Sequence, residues 1–396
     1  MESIKNNLLT INGGSSSIKF AIYQTDGVLT LILSGSIENI NCQNTTFIFL
    51  NTITKQENNI AIEQKDFDEA ANYLIDWLEQ QDGFSAVEAV GHRLVHGMQY
   101  TKSEKISVEL LDELKQICAY DPEHLPGEIK LIEIFTKRHP AFVQVACFDT
   151  AFHTTMPHVA KLLPIPRKYF DMGIQRYGFH GLSYAYLMQE LQRIAGHETA
   201  DGKIILAHLG NGASLAAVQH GKCIDTSMGF TPTSGLVMGS RTGDLDPGVA
   251  WYLMQVDKLT PEKFNRLINH ESGLLGISET SADMKKLIEI KNTDTRAGEA
   301  FELFCYQAKK FIGAYTAALE GLDKLVFSGG IGEHSPEVRS QICDGLEFLG
   351  IELCEIKNMN NEIIISTKTS KVTVYVIKTN EELIIAKLVC EVLGIQ

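Results

Sequence analysis

The chain has 396 residues, which is more than one hydrophobic core usually supports, so we predict two domains or more. Its formal net charge is −14 and no block of Lys or Arg stands out, which argues against nucleic acid and anionic membranes as partners. No apolar stretch approaches the length that crosses a bilayer, and MESIKNN lacks the pattern of a signal peptide, so we expect a cytoplasmic protein.

Strands and helices are predicted to alternate along the chain. Short apolar runs predict strands at 47–50, 87–90, 142–148, 204–206, 325–327 and 372–377. Apolar residues that recur at helical spacing predict one helix after Asp66, a second from Phe301 to near Gly321, and a third over 383–393. Strands interleaved with helices indicate an α/β protein.

Three glycine-rich turns each follow a predicted strand. LLTINGGSSSIKFAIY (8–23) and ILAHLGNGASLAAVQ (205–219) share one plan, and FSGGIGEHS (327–335) is the third turn. A flexible tether would not need strands on both sides, whereas a plain hairpin turn remains an alternative. Glycines expose backbone amides, and hydroxyl groups beside them complete an anion-binding turn, so we predict a nucleotide site, although the sequence has no P-loop. The repeated plan indicates two duplicated α/β domains that face each other across a cleft.

Four residues in these surroundings are candidates for chemistry. Arg93 lies in GHRLVHG, where it is either a surface arginine or presents its planar guanidinium to a carboxylate or phosphate. Asp149 directly follows a predicted strand, where α/β sheets bind ligands, although an aspartate there is also a common helix cap. His180, beside Phe179 in RYGFHG, either hydrogen-bonds within the core or serves a site. Arg241 is the isolated cation of a long loop rich in Gly, Ser, Thr and Pro, and long ordered loops tend to be functional.

Metal binding through nitrogen or sulfur ligands is not predicted. His92 and His96 lie four residues apart, but the flanking glycines and the preceding strand argue against a helical metal site. The eight cysteines are scattered without a C-x-x-C pair, so we expect reduced thiols rather than a zinc site or a dithiol centre.

Nine motifs along the chain resemble one enzyme family. In order they are INGGSSSIKF, GHRLVHG, FDTAFH, RYGFHG, HLGNGAS, DTSMGFTP with MGSRTGD, SGLLGIS, FSGGIGE and TNEEL. Together they run from Asn12 to Leu383 and resemble the acetate kinase family of the acetate and sugar kinase/Hsc70/actin superfamily. The resemblance implies two duplicated ribonuclease H-like (actin-like ATPase) domains around a central cleft. The first would comprise 1–150 with 383–396 on the acid and phosphate side, and the second, 151–382, would bind the nucleotide and form the dimer.

The resemblance also implies an activity and its partners. Acetate kinases transfer the γ-phosphoryl group of ATP to acetate by reversible, direct in-line transfer, which gives acetyl phosphate and ADP. The expected cofactor is Mg²⁺, with Mn²⁺ as its substitute. The expected assembly is a homodimer without a nucleic-acid or membrane partner.

By the same resemblance the quoted motifs supply the site residues. Asp149, His180 and Arg241 are the expected catalytic residues, with His180 and Arg241 on the transferring phosphoryl group. Arg93 is expected to bind the carboxylate of acetate. The remaining matches are Val95, Phe179 and Pro232 around the methyl group, Asn12 and Glu381 at the metal, Lys19 at a phosphate, and His208, Leu209, Gly210, Asn211, Gly212, Asp283, Met284, Lys285, Gly330, Ile331, Gly332, Glu333 and His334 at ATP.

Three departures from the family pattern keep alternatives open. Asp121-Pro122-Glu123-His124-Leu125-Pro126 stands where the family usually has A-P-L-H-N-P, which puts the shape of the acyl pocket in question. On the adenosine side, His334 replaces an asparagine and Lys285 an arginine, so purine preference or affinity is open. A propionate-preferring or other short-chain carboxylic acid kinase remains an alternative. A non-enzymatic actin- or Hsc70-like ATP switch is a remote one, since a switch has no need of a carboxylate-binding arginine pair.

Overall fold

The structure, a computed structural model, describes residues 7–14, 16–40, 44–64, 66–196 and 201–395. The chain divides into two compact units, which we call unit 1 (Met1–Ala151 with Asn380–Gln396) and unit 2 (Phe152–Thr379). Ser15 of the first glycine-rich turn and Cys42 lie outside the described residues. Within the described ranges, no helix has both the length and the apolar character needed to cross a membrane.

Unit 1 is built on one mixed sheet with helices packed against it. Its strands are β1 (Asn7–Gly13), β2 (Ser17–Asp26), β3 (Val28–Glu38), β4 (Thr46–Asn51), β5 (Gln56–Ala61), β6 (Val87–Leu94), β7 (Glu104–Lys105) and β8 (Val143–Phe148). Its helices are α1 (Phe67–Leu78), α2 (Val108–Gln116), α3 (Leu125–Arg138) and α15 (Glu381–Leu393). The strand order is β5-β4-β3-β2-β1-β6-β8-β7.

Three neighbouring strands of this sheet bring their carboxyl ends to one edge. β6 runs parallel to β1, and β8 runs parallel to β6, with Arg93 beside Cys147 in the register. β1 ends at Gly13, β6 ends just beyond Arg93, and Asp149 directly follows β8. Because parallel strands end together, the candidate residues Arg93 and Asp149, which are distant in sequence, lie at the same edge beside Gly13.

Helix α15 joins the sheet of unit 1 from the far end of the sequence. The side chain of Asn380 accepts a hydrogen bond from the N–H of Leu383 at 3.0 Å and caps the helix. A Cβ atom at Gly91 would lie 2.5 Å from Ile385 and 2.6 Å from Val389, so glycine in β6 permits this close packing. The helix predicted over 383–393 is confirmed and begins at Glu381, and the one predicted after Asp66 is confirmed as α1.

Unit 2 contains the second sheet and most of the helices. Its strands are β9 (Lys203–Leu209), β10 (Ala213–Gln219), β11 (Lys222–Thr226), β12 (Lys324–Ser328) and β13 (Thr373–Val376). Its helices are α4 (His158–Lys161), α5 (Arg167–Asp171), α6 (Gly181–Ala195), α7 (Pro247–Val256), α8 (Pro261–His270), α9 (Gly273–Ser278), α10 (Met284–Ile290), α11 (Thr295–Ala318), α12 (Gly329–His334), α13 (Pro336–Cys343) and α14 (Glu355–Met359).

The two sheets repeat one topology, which confirms the predicted duplicated α/β fold. In unit 2 the order is β11-β10-β9-β12-β13, with antiparallel pairing from β11 to β9 and parallel pairing from β9 to β13. The segment β3-β2-β1-β6-β8 of unit 1 has the same order and the same strand directions. Each sheet therefore contains three consecutive antiparallel strands, followed by two further strands that pair in parallel.

The remaining sequence-based elements also agree with the structure. The six predicted strands correspond to β4, β6, β8, β9, β12 and β13. The helix predicted from Phe301 is α11, which begins at Thr295 because Asp294 caps it through the N–H of Arg296. The seven cysteines that the structure describes carry no disulfide, as expected for reduced thiols.

Candidate active site

In unit 1 a guanidinium group is held at the edge where the three parallel strands end. Nε and Nη2 of Arg93 donate to Oδ2 of Asp149 at 3.0 and 2.7 Å, and Nη1 donates to the carbonyl of Gly13 at 3.2 Å. Burial favours the uncharged form, but the carboxylates of Asp149 and Glu381 outweigh it and raise the pKa of Arg93. Arg93 is therefore a fixed cation rather than a surface arginine, and its side chain is 13% exposed.

Polar side chains from β1 and α15 meet beside this cation. Nδ2 of Asn12 donates to Glu381 at 2.9 Å and to Glu382 at 3.4 Å. Lys19 pairs with Asn12 across the β1–β2 hairpin and is exposed. Burial raises the pKa of Glu382, whose contact with Asn12 the sequence did not reveal. An amide oxygen and carboxylates suit Mg²⁺, which keeps several water or phosphate ligands.

The cluster of Asn12, Glu381 and Glu382 contains few side chains that could bind a metal ion. Among the described residues, no group of three or more His, Cys, Asp and Glu side chains is arranged to hold a metal ion. In the part of the chain that the structure describes, the side chains around Asn12 therefore do not form a protein cage for a metal ion. His92 is buried, its Nε2 lies 2.8 Å from Oε1 of Gln144, and burial lowers its pKa to about 4.

A buried carboxyl group that the sequence did not indicate lies behind Arg93. Glu128 is 2% exposed, and its Oε2 accepts the backbone N–H of Val95 at 3.0 Å. Oε1 lies 3.9 Å from Nη1 of Arg93. Burial raises the pKa of Glu128 to about 8, although Arg93 and the N–H of Val95 favour its charged form. No sequence signal marks this position, because a glutamate in the first turn of a helix is ordinarily an exposed residue that favours the helix dipole.

The segment that departs from the family pattern packs beside this group. Leu125 is fully buried in a cluster with Leu94, Leu114 and Phe148 and begins α3. Its side chain therefore serves packing in unit 1. Nδ1 of His124 lies 2.9 Å from Asp121, and Glu123 is half-buried.

In unit 2 the residues expected at the phosphoryl group form one cluster. His180 has a left-handed backbone (φ 58°) just before α6, and its Nδ1 lies 2.9 Å from Oγ of Ser214. A Cβ atom at Gly212 would lie 3.2 Å from Nε2 of His180 and 3.9 Å from Nη1 of Arg241. Nη1 of Arg241 donates to the carbonyl of Pro232 at 3.0 Å. The structure thus brings together a cation, an imidazole and a glycine turn.

A chain of hydrogen bonds connects His208 to the third glycine turn. Its ring stacks on His180 with 4.4 Å between centroids, and its Nδ1 lies 2.8 Å from Oγ of Ser183. Ser183 contacts Thr379 at 2.8 Å, whose N–H donates to Glu333 at 3.1 Å. The sequence did not indicate Ser183 or Thr379, since lone hydroxyl residues carry no motif.

Backbone groups link the three segments expected at ATP. The N–H of Gly239 donates to the carbonyl of Asn211 at 2.9 Å, and a Cβ atom at Gly239 would lie 3.3 Å from the carbonyl oxygen of Ala282. A Cβ atom at Gly210 would lie 3.9 Å from the N–H of Gly330. Residues 208–212, 282–283 and 329–330 therefore adjoin one another.

The other sequence-predicted residues occupy different surroundings. Asp283 caps α10 through the N–H of Lys285 at 3.0 Å, and His334 is 73% exposed. Val95 lies in unit 1 and is buried, while Phe179 and Pro232 are buried in unit 2. The carbonyl of Phe179 lies 2.9 Å from Nε2 of His153, whose pKa burial lowers to about 4.

Comparisons with known proteins cover nearly the whole chain. A model described as the acetokinase family matches residues 7–387. The acetate kinase of Rhodopseudomonas palustris (strain TIE-1) is 40% identical over 386 residues, which span 96% of this chain and 96% of that protein. A propionate kinase from Francisella tularensis subsp. tularensis SCHU S4 superposes with a TM-score of 0.89 at 36% identity over 97% of this chain and 98% of the other. The Porphyromonas gingivalis acetate kinase superposes with a TM-score of 0.86 at 34% identity, over 98% of this chain and 100% of that chain.

Proposed function

Because this chain belongs to the acetokinase family, we propose that it transfers the γ-phosphoryl group of ATP to acetate and yields acetyl phosphate and ADP. The observation that carries this proposal is the fixed guanidinium of Arg93, which Asp149 holds at the strand ends of unit 1. A carboxylate acceptor is already ionised at neutral pH, so the reaction needs charge complementarity and alignment more than a strong base.

The acid-binding residues act through charge and size. Arg93 binds the carboxylate of the substrate, because a planar guanidinium matches the geometry of a carboxylate. Asp149 keeps the guanidinium oriented through two hydrogen bonds to Nε and Nη2. The apolar residues that the resemblance assigns to the methyl group are Val95 in unit 1 and, separately, Phe179 and Pro232 in unit 2.

The phosphoryl-binding residues belong to unit 2. Arg241 and His180 donate to the equatorial oxygens of the transferring group, where negative charge is concentrated in the transition state. The glycine segments 208–212 and 330–334 present backbone amides to the nucleotide phosphates, and Asp283 to Lys285 lie toward the nucleoside. The reaction is in line and reversible, as the family resemblance implies.

Asn12 and Glu381 would hold the metal, with Lys19 near a phosphate. When bound, Mg²⁺, for which Mn²⁺ can substitute, would supply positive charge that offsets the negative charge of the phosphates. The role of the chain is to present one amide oxygen and carboxylates and to leave the other ligand positions to phosphate and water.

A propionate preference is the second candidate, which the structural likeness to a propionate kinase favours. One methylene in an apolar pocket is worth only about 1 to 3 kcal/mol, so both acids are expected to react. The ratio of kcat/KM values for acetate and propionate decides between the candidates.

We propose that unit 2 also forms a homodimer. No residue of α7 is buried, and the exposed fractions of Trp251 and Tyr252 are 68% and 60%. Contiguous exposed aromatic groups of this size mark interaction surfaces. Light scattering after gel filtration should give twice the chain mass, and W251E should reduce it toward the monomer mass. A monomeric wild-type protein at micromolar concentration would contradict this proposal.

The decisive experiment for the activity is a hydroxamate assay with ATP, Mg²⁺ and acetate, propionate or butyrate. Acetyl phosphate should accumulate in proportion to ADP. A folded protein that binds ATP but phosphorylates none of the three acids would refute the kinase and favour an ATP-dependent switch.

A further inference from the structure

The buried carboxyl group of Glu128 belongs to none of the roles proposed above. Glu128 lies in the first turn of α3, behind the end of β1. Its Cγ would lie 3.8 Å from a Cβ atom at Gly13. Oε2 accepts the N–H of Val95 at 3.0 Å. Among the described residues, no donor lies within hydrogen-bond distance of Oε1. The group is thus fixed at one oxygen and left unpaired at the other.

The charged groups around Glu128 come from three elements. Arg93 faces it from β6, Asp149 from the turn after β8, and Asp121 from the segment before α3. The guanidinium of Arg93 already binds Asp149 and lies in the field of Glu381. If Glu128 were ionised, a further negative charge would lie near the guanidinium of Arg93. That charge would reduce the attraction of Arg93 for an anionic substrate.

The geometry favours an uncharged carboxyl group at this position. Oε1 is buried without a donor, and a buried charged oxygen without a hydrogen bond costs far more than a neutral one. The nearest cation, Nη1 of Arg93, lies 3.9 Å away and donates to Gly13 instead.

We infer that Glu128 is a positioning residue for carboxylate binding, because its uncharged carboxyl group fixes Val95 and leaves the positive charge of Arg93 to the substrate. The inference rests on the proposed function and deepens it. It concerns the affinity for the acid and not the phosphoryl-transfer step.

The pKa of Glu128 supports this inference, since burial raises it to about 8. The group is therefore mostly protonated at pH 7 and mostly ionised at pH 9. Acetate is ionised throughout this range. Its binding should weaken on the alkaline side because Glu128 then repels it.

The experiment compares wild-type protein, E128Q and E133Q at pH 7 and pH 9. Glutamine keeps an oxygen acceptor for the N–H of Val95 and carries no charge at either pH. Glu133 lies on the same helix, is 43% exposed and pairs with Lys115, so E133Q is the matched control. KM for acetate, KM for ATP and kcat are measured at each pH, together with a melting curve that verifies folding.

We expect KM for acetate to rise about tenfold from pH 7 to pH 9 in the wild type and in E133Q, as one ionisation near pH 8 requires. In E128Q the rise should disappear, while KM for ATP stays within about twofold in all three proteins. A wild-type KM for acetate that is flat with pH overturns the inference even if E128Q fails to fold. An equal rise in folded E128Q overturns it as well.

These outcomes are distinct from failure of the proposed function. If the wild type phosphorylates no short-chain acid at pH 7, the proposed function fails and the inference falls with it. If it phosphorylates acetate at pH 7 and either outcome above is found, the inference alone fails.

Discussion

The candidate site residues of the two units differ in kind although the two sheets share one topology. In unit 1 the strand ends carry charged side chains that bind one another, with Arg93 between Asp149 and the carbonyl of Gly13. In unit 2 the residues around Gly212 are His180, whose Nδ1 lies 2.9 Å from Oγ of Ser214, and Arg241, which donates to the carbonyl of Pro232. The same sheet topology thus carries a cluster with carboxylates in one unit and a glycine turn beside an imidazole and a guanidinium in the other.

The two halves of a duplicated fold can therefore suit different ligands. An ionic cluster suits a small anion and a cation, whose positions depend on a few fixed charges. A glycine-lined turn suits the extended phosphate chain of a nucleotide, which many backbone amides can contact. Variants in the two units should therefore affect different kinetic constants.

The largest effect is expected for R93L in unit 1. It removes the cation that we propose binds the substrate carboxylate, and loss of one partner of a buried charge pair costs about 2 to 5 kcal/mol of binding, so kcat/KM for acetate should fall about a thousandfold. KM for ATP should change little. R138L, which removes a half-buried arginine that binds Asp76 and Glu79 away from Arg93, is the control and should keep near wild-type activity. Equal losses in the two variants would refute the role of Arg93.

R241L should produce the corresponding loss in unit 2, but in kcat. Removing one donor from a developing charge costs about 3 to 4 kcal/mol, or roughly two to three orders of magnitude. ATP affinity, measured by calorimetry, should stay within about threefold. R193L removes an arginine side chain that is 70% exposed in the same unit and serves as the control. A loss of ATP affinity as large as the loss in kcat would contradict a transition-state role.

G239A tests the glycine-rich segments of unit 2 and should have a smaller effect than R93L or R241L. A Cβ atom there would overlap Oδ1 of Asn211, and overpacking of this kind costs about 1 to 3 kcal/mol. KM for ATP should rise about tenfold while KM for acetate stays constant. At Gly313 in α11 a Cβ atom would meet nothing within 4 Å, so G313A should leave both constants unchanged. A rise in KM for acetate alone would reverse the assignment of the two units.

The smallest effect concerns acid stability, in which the two units should behave alike. Burial lowers the pKa of His92 in unit 1 and His153 in unit 2 from 6.5 to about 4. Between pH 6.5 and pH 4 these histidines are protonated in the unfolded state but not in the folded state. The free energy of unfolding therefore decreases as pH falls from 6.5 toward 4. Each residue should cost about 1 to 2 kcal/mol between pH 7 and pH 5.

Urea unfolding at pH 7 and pH 5 measures this loss. H92Q should reduce the difference between the two midpoints. H220Q, which alters a histidine that is 70% exposed, should not. Equal midpoint differences in H92Q and the wild type would show that His92 does not carry the effect.

Several parts of the molecule could be predicted from local sequence. The predicted hairpin around Gly13 and the similar stretch around Gly212 indicated the duplication, because a glycine turn between two apolar runs is compatible with few structures other than a hairpin. The helix capped by Asp66 was predictable for a similar reason, since caps and periodic apolar residues act within a few residues. Nine ordered motifs then indicated the family, whose model matches residues 7–387.

Contacts between distant residues could not be predicted in this way. Strands, the main helices and the side chains available for chemistry follow from local sequence, because they depend on neighbours along the chain. The fold was needed to place Glu128 behind Arg93, Asn12 against Glu381 and Glu382, and Ser183 between His208 and Thr379. Burial and pairing set the charge of a carboxyl group, and both depend on residues far away in the sequence.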